Sequence, residues 1–199
     1  MVIVAILLIL ALTAFRLLTG VTGVELEFAN FSPLAAVVLC GAAFLPKRYA
    51  ISVPLAAMLV TDVILNLHGG YAIFTFGMLL RYLAFGAIFF IGLKLRSPEA
   101  RGAYNWKLFG GAIAGSLIFY VVSNTGAWLS LPAYPKTLAG WWQAQTIGLP
   151  GFPPTILFLR NSLIGDLFFT AVFAGCFALA GKRSVSHDAE LPAATPVSH

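Results

Sequence analysis

The chain has 199 residues, of which 60% are hydrophobic and only 10% are charged, whereas soluble domains carry roughly 25% charged residues. So few charges cannot cover so much apolar surface, which excludes a soluble globular protein and predicts an integral membrane protein. A formal net charge of +5 is compatible with a nucleic-acid partner only if the basic residues cluster, and they do not.

Long apolar runs without strand-like alternation predict helices and not barrel strands. We expect a bundle of six transmembrane helices, in chain order over residues 2–18, 33–45, 49–67, 71–95, 106–129 and 155–181. The second is short, since 33–45 rises about 20 Å against a hydrocarbon core of about 30 Å. The transmembrane domain is thus predicted over 1–181, and the Ser-, Ala- and Pro-rich residues 182–199 are predicted to be a disordered cytoplasmic tail.

Basic residues alternate between the two sides of this bundle. The first, third and fifth connections carry between them only Lys136, whereas the second and fourth connections and the C-terminal exit carry Lys47, Arg48, Lys94, Arg96, Arg101, Lys107, Lys182 and Arg183. The positive-inside rule then predicts that both termini are cytoplasmic, in a multi-pass protein of the bacterial inner membrane. These basic residues set topology, so no nucleic-acid partner is expected.

Five charged residues fall inside the predicted helices: Arg16, Asp62, Arg81, Arg160 and Asp166. With this topology, all five lie between the membrane midplane and the outer face. Each would cost about 2.5–3.5 kcal/mol or more facing lipid, so they must face the bundle interior, pair with one another or line a wet cavity. An ion pair of Asp62 with Arg16 or Arg81 is the plain structural alternative to ligand binding.

Uncharged polar side chains accompany these charges toward the outer side. Tyr120, Asn124 and Trp128 follow one another at intervals of four, which places them on one face of the fifth helix. Asn161 joins Arg160 at the start of the last helix. The outer connection contains a predicted short helix over 137–149 that carries Trp141 and Trp142, either as a headgroup anchor or as a capping loop over an outward-facing cavity.

The sequence offers little chemistry beyond binding. Cys40 and Cys176 lie in apolar runs and suit small core residues, and His68 is the one histidine before the tail, so neither a metal site nor a cofactor is expected. No nucleophile–base set or phosphate-binding loop occurs. We therefore expect a protein that is not an enzyme.

The chain resembles a family of bacterial putative transport proteins in the segments NFSPLAAVVLCGAAF (30–44), PLAAMLVTDVIL (54–65), SNTGAW (123–128), YPKTLAGWW (134–142) and FLRNSLIGDLFFT (158–170). That family is distantly similar to the S components of energy-coupling factor (ECF) vitamin transporters. The resemblance implies a six-helix fold with an outward-facing substrate pocket. It also implies a membrane coupling subunit and two ATPases as partners.

The favoured interpretation is capture of a small anionic or ring-containing nutrient for transport. Its predicted substrate-binding residues are Arg16, Asp62, Arg81, Asn124, Trp128, Arg160, Asn161 and Asp166, because arginines hold carboxylates or phosphates and aromatic rings stack on flat ligands. Two alternatives remain open. A self-contained ion- or proton-coupled carrier would use Asp62 and Asp166 as titrating groups, and a non-catalytic scaffold subunit would bind no substrate.

Overall fold

The computed structural model of the chain describes residues 2–22, 31–96 and 106–190, with side chains up to residue 180. Within these ranges the backbone forms helices and no strand, which confirms the all-α prediction. The helices are α1 (Val2–Thr22), α2 (Leu34–Phe44), α3 (Lys47–Ala50), α4 (Ser52–His68), α5 (Phe76–Lys94), α6 (Trp106–Ser130), α7 (Leu138–Gln145) and α8 (Thr155–Glu190). Glu25, Glu27 and Arg101 lie outside the described residues.

Five helical stretches within the described residues are long and apolar enough to cross a membrane. They are Val2–Thr22, Lys47–His68, Phe76–Lys94, Trp106–Ser130 and Thr155–Ala180. The second of them joins α3 and α4, which are separated only by Ile51. These lengths and compositions indicate a membrane protein.

Four boundaries differ from those predicted by four residues or more: α1 extends to Thr22 and not 18, α7 ends at Gln145 and not 149, and the start of α5 and the end of α8 also move. The fourth predicted helix starts at Phe76 and not at residue 71, because the side chain of Thr75 caps it by accepting a hydrogen bond from Met78 N at 3.1 Å. The last helix continues to Glu190, so residues 182–190 extend an existing helix, a step that is much less costly than starting a new one. The remainder of the predicted disordered tail, 191–199, lies outside the described residues.

The short helix α2 forms the centre of the bundle. Every residue from Ala35 to Phe44 is buried, and α2 contacts α1, α4, α5, α6 and α8. Its 11 residues rise only about 16 Å, so α2 ends well short of the bundle's full depth. Because its neighbours shield it on all sides, a helix this short has no exposed backbone to satisfy in lipid.

The longer helices pack around α2 as neighbouring pairs. The closest pairings are α5 with α6, α2 with α5, α6 with α8, and α1 with α4. Gly92 brings α5 against α2, since a Cβ at this position would lie 2.5 Å from the backbone oxygen of Leu39. Backbones this close require a residue without a side chain.

The short helix predicted over 137–149 is present as the shorter helix α7, Leu138–Gln145. The Thr137 side chain caps it by accepting a hydrogen bond from Gly140 N at 3.2 Å. The helix packs mainly on α6, where Trp141 Nε1 donates to Thr125 Oγ1 at 2.9 Å, whereas Trp142 is exposed. The connection is therefore held against the end of α6.

Candidate functional site

A cavity of about 400 Å³ lies at one end of the bundle. Its walls come from α1, α2, α4, α5, α6 and α8, at the end where α1 and α4 finish and α2 begins. The cavity lies beyond the N-terminus of α2, which starts at Leu34, and Phe31 and Ser32 form part of its wall there. The exposed residues His68, Gly69 and Tyr71 at its edge mark where the cavity meets the surface.

Four of the five intramembrane charged residues line this cavity. Arg16 comes from α1, Asp62 from α4, Arg81 from α5 and Asp166 from α8. They are far apart in sequence, so the packing of four different helices brings them together. Taken as ionised, they sum to zero charge.

Arg16 and Asp62 are already paired with each other. Arg16 Nη2 lies 2.6 Å from Asp62 Oδ1, and Arg16 Nη1 donates to the hydroxyl of Thr61. Both side chains of the ion pair are largely buried, at 14% and 4% exposure. The predicted alternative to ligand binding, an ion pair between Asp62 and Arg16, is therefore present, and it links α1 to α4.

Asp166 is buried in the wall with uncharged partners. Its Oδ2 accepts a hydrogen bond from Ser116 Oγ at 2.5 Å, and the backbone N–H of Ala36, in the first turn of α2, also donates to it. A carboxylate at a helix N-terminus is stabilised by free backbone N–H groups and the helix dipole. The short helix α2 thus supplies part of the support for this acidic group.

Within the described part of the chain, the guanidinium of Arg81 has no hydrogen-bond or ion-pair partner. Its side chain is nevertheless half-buried and lines the cavity. A guanidinium carries five N–H donors in a planar fork that matches carboxylate and phosphate geometry. Its donors are available to a bound anion.

Aromatic rings cover much of the remaining wall: Phe31, Tyr71, Phe85 and Phe119. The rings of Phe85 and Phe119 lie 5.2 Å apart between centroids, in a tilted arrangement. Flat apolar surfaces of this kind suit the face or edge of a ligand ring. The cavity therefore combines charge with aromatic surface.

The other predicted site residues lie away from this cavity. Asn124 Nδ2 donates to the Tyr120 carbonyl of its own helix at 2.9 Å, and Trp128 Nε1 donates to the carbonyl of Pro135 at 2.8 Å. Arg160 is exposed, with its guanidinium 3.3 Å from Asn161 Oδ1. None of Asn124, Trp128, Arg160 and Asn161 lines the cavity.

The polar stripe of α6 divides between two environments. The C-terminal part of α6 faces the connection between α6 and α8, as the hydrogen bond from the Tyr120 hydroxyl to the Gln145 carbonyl shows. One turn earlier, Ser116 contacts Asp166. Ser116 is not among the site residues predicted from the sequence. It precedes Tyr120, Asn124 and Trp128 at the same interval of four, so this spacing would have identified it.

The capping loop does not cover this cavity. No residue between 131 and 154 is among its lining residues, because α7 packs on the flank of α6. In the described part of the chain, no group of three His, Cys, Asp or Glu side chains is placed to hold a metal ion. Cys40 is buried and Cys176 half-buried, both as free thiols.

Comparison with known families identifies the family to which the chain is similar. A family model described as "Family of unknown function (DUF6580)" matches residues 1–191, which includes all of the residues that line the cavity. The chain matches no curated protein and no solved structure.

Proposed function

The chain belongs to the DUF6580 family of unknown function, and we propose that it captures a small molecule in its cavity for transport across a membrane. The proposed role is that of an S component, which binds a nutrient and delivers it to a separate energy-coupling machinery. The cavity volume of about 400 Å³ lies in the lower part of the range for small-ligand sites, about 300–1,000 Å³. This size suits a single small nutrient.

The observation that carries this proposal is the guanidinium of Arg81 in the cavity wall, which is unpaired among the residues that the structure describes. A buried or half-buried charge without a partner is costly inside a membrane and marks a functional position. The second arginine of the cavity, Arg16, already has Asp62 as its counter-ion. Arg81 is therefore the group that we expect to hold an anionic part of the ligand.

We further propose an outward-facing orientation in the bacterial inner membrane. In this arrangement α2 acts as the sixth membrane segment, and both termini are cytoplasmic. The basic residues Lys47, Arg48 and Lys94 lie at the end of the bundle opposite the cavity, and the positive-inside rule assigns that end to the cytoplasm. The cavity then receives its ligand from the extracytoplasmic side.

Binding to the purified protein tests the proposal. Labelled small carboxylates and ring-containing nutrients, including vitamins, are screened against wild type, Arg81→Gln and Arg48→Gln. Loss of a charge-assisted hydrogen bond costs about 1.5–3 kcal/mol, so Arg81→Gln should weaken binding by about 10- to 100-fold. Arg48→Gln removes an exposed charge at the opposite end and should bind as wild type does. If Arg81→Gln retains full affinity, Arg81 is not the anion-binding group.

The proton-coupled carrier is the second candidate, and Asp166 is the residue that favours it. Asp62 is held in an ion pair, whereas Asp166 is buried without a cationic neighbour among the described residues. Purified protein in liposomes separates the two functions. An S component shows binding without uptake until a coupling subunit and ATPases are added, whereas a carrier shows uptake that a protonophore abolishes.

A further inference from the structure

In ranges 2–22, 31–96 and 106–180, two charged side chains of opposite sign line the cavity without an oppositely charged partner. Arg16 and Asp62 neutralise each other at 2.6 Å. Among the described residues, neither Arg81 nor Asp166 has an oppositely charged side chain within 4.0 Å, so these two are also more than 4.0 Å from each other. One cavity therefore presents a separate cationic and a separate anionic position.

From this arrangement we propose that the ligand is a zwitterion that carries a ring. Its carboxylate pairs with Arg81, and its protonated amine pairs with Asp166. This inference rests on the proposed function, since it names the substrate class of the same cavity. The proposed function allows any small anionic or ring-containing ligand. This inference restricts the ligand to one that carries a carboxylate, a protonated amine and a ring.

Asp166 is suited to receive an ammonium group. A carboxylate offers about four acceptor sites. The hydrogen bonds that Asp166 accepts from Ser116 and from the backbone N–H of Ala36 come from neutral donors. A buried charge without an opposite charge nearby is strongly unfavourable. A ligand ammonium supplies that charge, whereas Asp62 already has Arg16 for this purpose.

Overall charge and wall composition favour the same class of ligand. The four charged residues that line the cavity among the described residues sum to zero when ionised, so a ligand that is neutral overall but separated in charge adds no net charge to them. Phe31, Tyr71, Phe85 and Phe119 provide apolar surface for a ring. An aromatic amino acid or a close analogue has a carboxylate, an ammonium group and a ring.

The test compares matched ligands in which one charge is removed at a time. The first set is L-phenylalanine, 3-phenylpropionate and 2-phenylethylamine, and the second is L-tryptophan, indole-3-propionate and tryptamine. Binding of each compound to the purified full chain in nanodiscs is measured by calorimetry. At least one zwitterion should bind about 10- to 100-fold more tightly than both of its singly charged analogues.

An Asp166→Asn variant locates the ammonium position. It keeps an oxygen acceptor for Ser116 but removes the charge, so it should abolish the preference for the zwitterion over the carboxylate analogue. Thr170→Val is the matched control, because Thr170 is buried one turn further along α8 and does not line the cavity. Its preference should equal that of wild type.

The outcomes separate this inference from the proposed function. If the carboxylate-only compounds bind as tightly as the zwitterions and require Arg81, the zwitterion inference is overturned while substrate capture stands. If no compound of either set binds, the inference is overturned, and the broader nutrient screen alone decides substrate capture. The comparison of ligands on wild type does not depend on whether Asp166→Asn folds.

Discussion

Breaking the ion pair between Arg16 and Asp62 should destabilise the protein much more than replacing both residues together. Arg16→Met leaves Asp62, which is only 4% exposed, as an uncompensated charge in the bundle. Removing one partner of a buried pair costs about 3–5 kcal/mol. Asp62→Leu should cost a similar amount, because it leaves the guanidinium of Arg16 without its counter-ion.

The double variant Arg16→Met/Asp62→Leu should recover most of this loss. An apolar pair of similar volume in place of a buried ion pair is often neutral or stabilising. Thr61 keeps a partner in the double variant, since its hydroxyl also donates to the Ala57 carbonyl at 2.9 Å. We therefore expect a favourable coupling energy of several kcal/mol between positions 16 and 62.

The cycle is measured by denaturant unfolding in detergent micelles, with helix content read by circular dichroism for wild type, both single variants and the double variant. Ile64→Met, at an exposed apolar position of the same helix, controls for a general effect of substitution in α4. A double variant as unstable as the sum of the two single variants would refute the ion pair as the link between α1 and α4.

Two further substitutions, Gly92→Ala with Gly86→Ala as its control and Arg96→Met, test the packing of α2. Gly92→Ala should lower the free energy of unfolding by about 1–3 kcal/mol through overpacking, because its Cβ would lie 2.5 Å from the oxygen of Leu39. Gly86→Ala is the control: nothing lies within 4 Å of its Cβ, so it should be neutral or stabilising by about 0.5–1 kcal/mol. Equal losses of stability in the two variants would contradict this account. Arg96→Met should lower the free energy of unfolding by about 1.5–3 kcal/mol in the same assay, because Arg96 Nε and Nη2 donate to the Ala42 carbonyl at 3.1 and 2.5 Å. An unchanged unfolding midpoint would show that this contact does not stabilise the C-terminal end of α2.

The broad architecture was accessible from the sequence because apolar length is a strong signal. Runs of about 20 apolar residues predict helices of membrane-crossing length, and five such helices are present among the described residues. The position of α2 was less predictable, since 11 apolar residues specify burial but not which neighbours provide it. Local capping moved the start of α5 to Phe76, a side-chain contact that composition does not reveal.

The charged residues of the candidate site could be predicted from the sequence, but which uncharged polar residues line the cavity could not. The cost of a charge in lipid requires Arg16, Asp62, Arg81 and Asp166 to face inward, and all four line one cavity. Depth along a helix does not determine which neighbour a side chain meets.

Asn124 and Trp128, for example, follow the cavity-lining Phe119 along α6 but hydrogen-bond within α6 and to Pro135. Arg160, close to the start of α8, is exposed. Which of these polar residues join the cavity depends on how the helices rotate against one another, and a single sequence does not determine that rotation.

The most direct measurement of the central claim is chemical access to the cavity from outside the cell. In a background with Cys40 and Cys176 replaced by alanine, Ser162→Cys places a thiol in the cavity wall, and Thr170→Cys places one at a fully buried position on the same helix. Intact cells are treated with a small anionic thiosulfonate that does not cross membranes.

We predict rapid modification at position 162 and none at position 170. Prior binding of a cavity ligand should slow the reaction at 162. Failure of the reagent to modify position 162 in intact cells, or modification only after the membrane is permeabilised, would contradict a water-filled cavity that opens to the extracytoplasmic side.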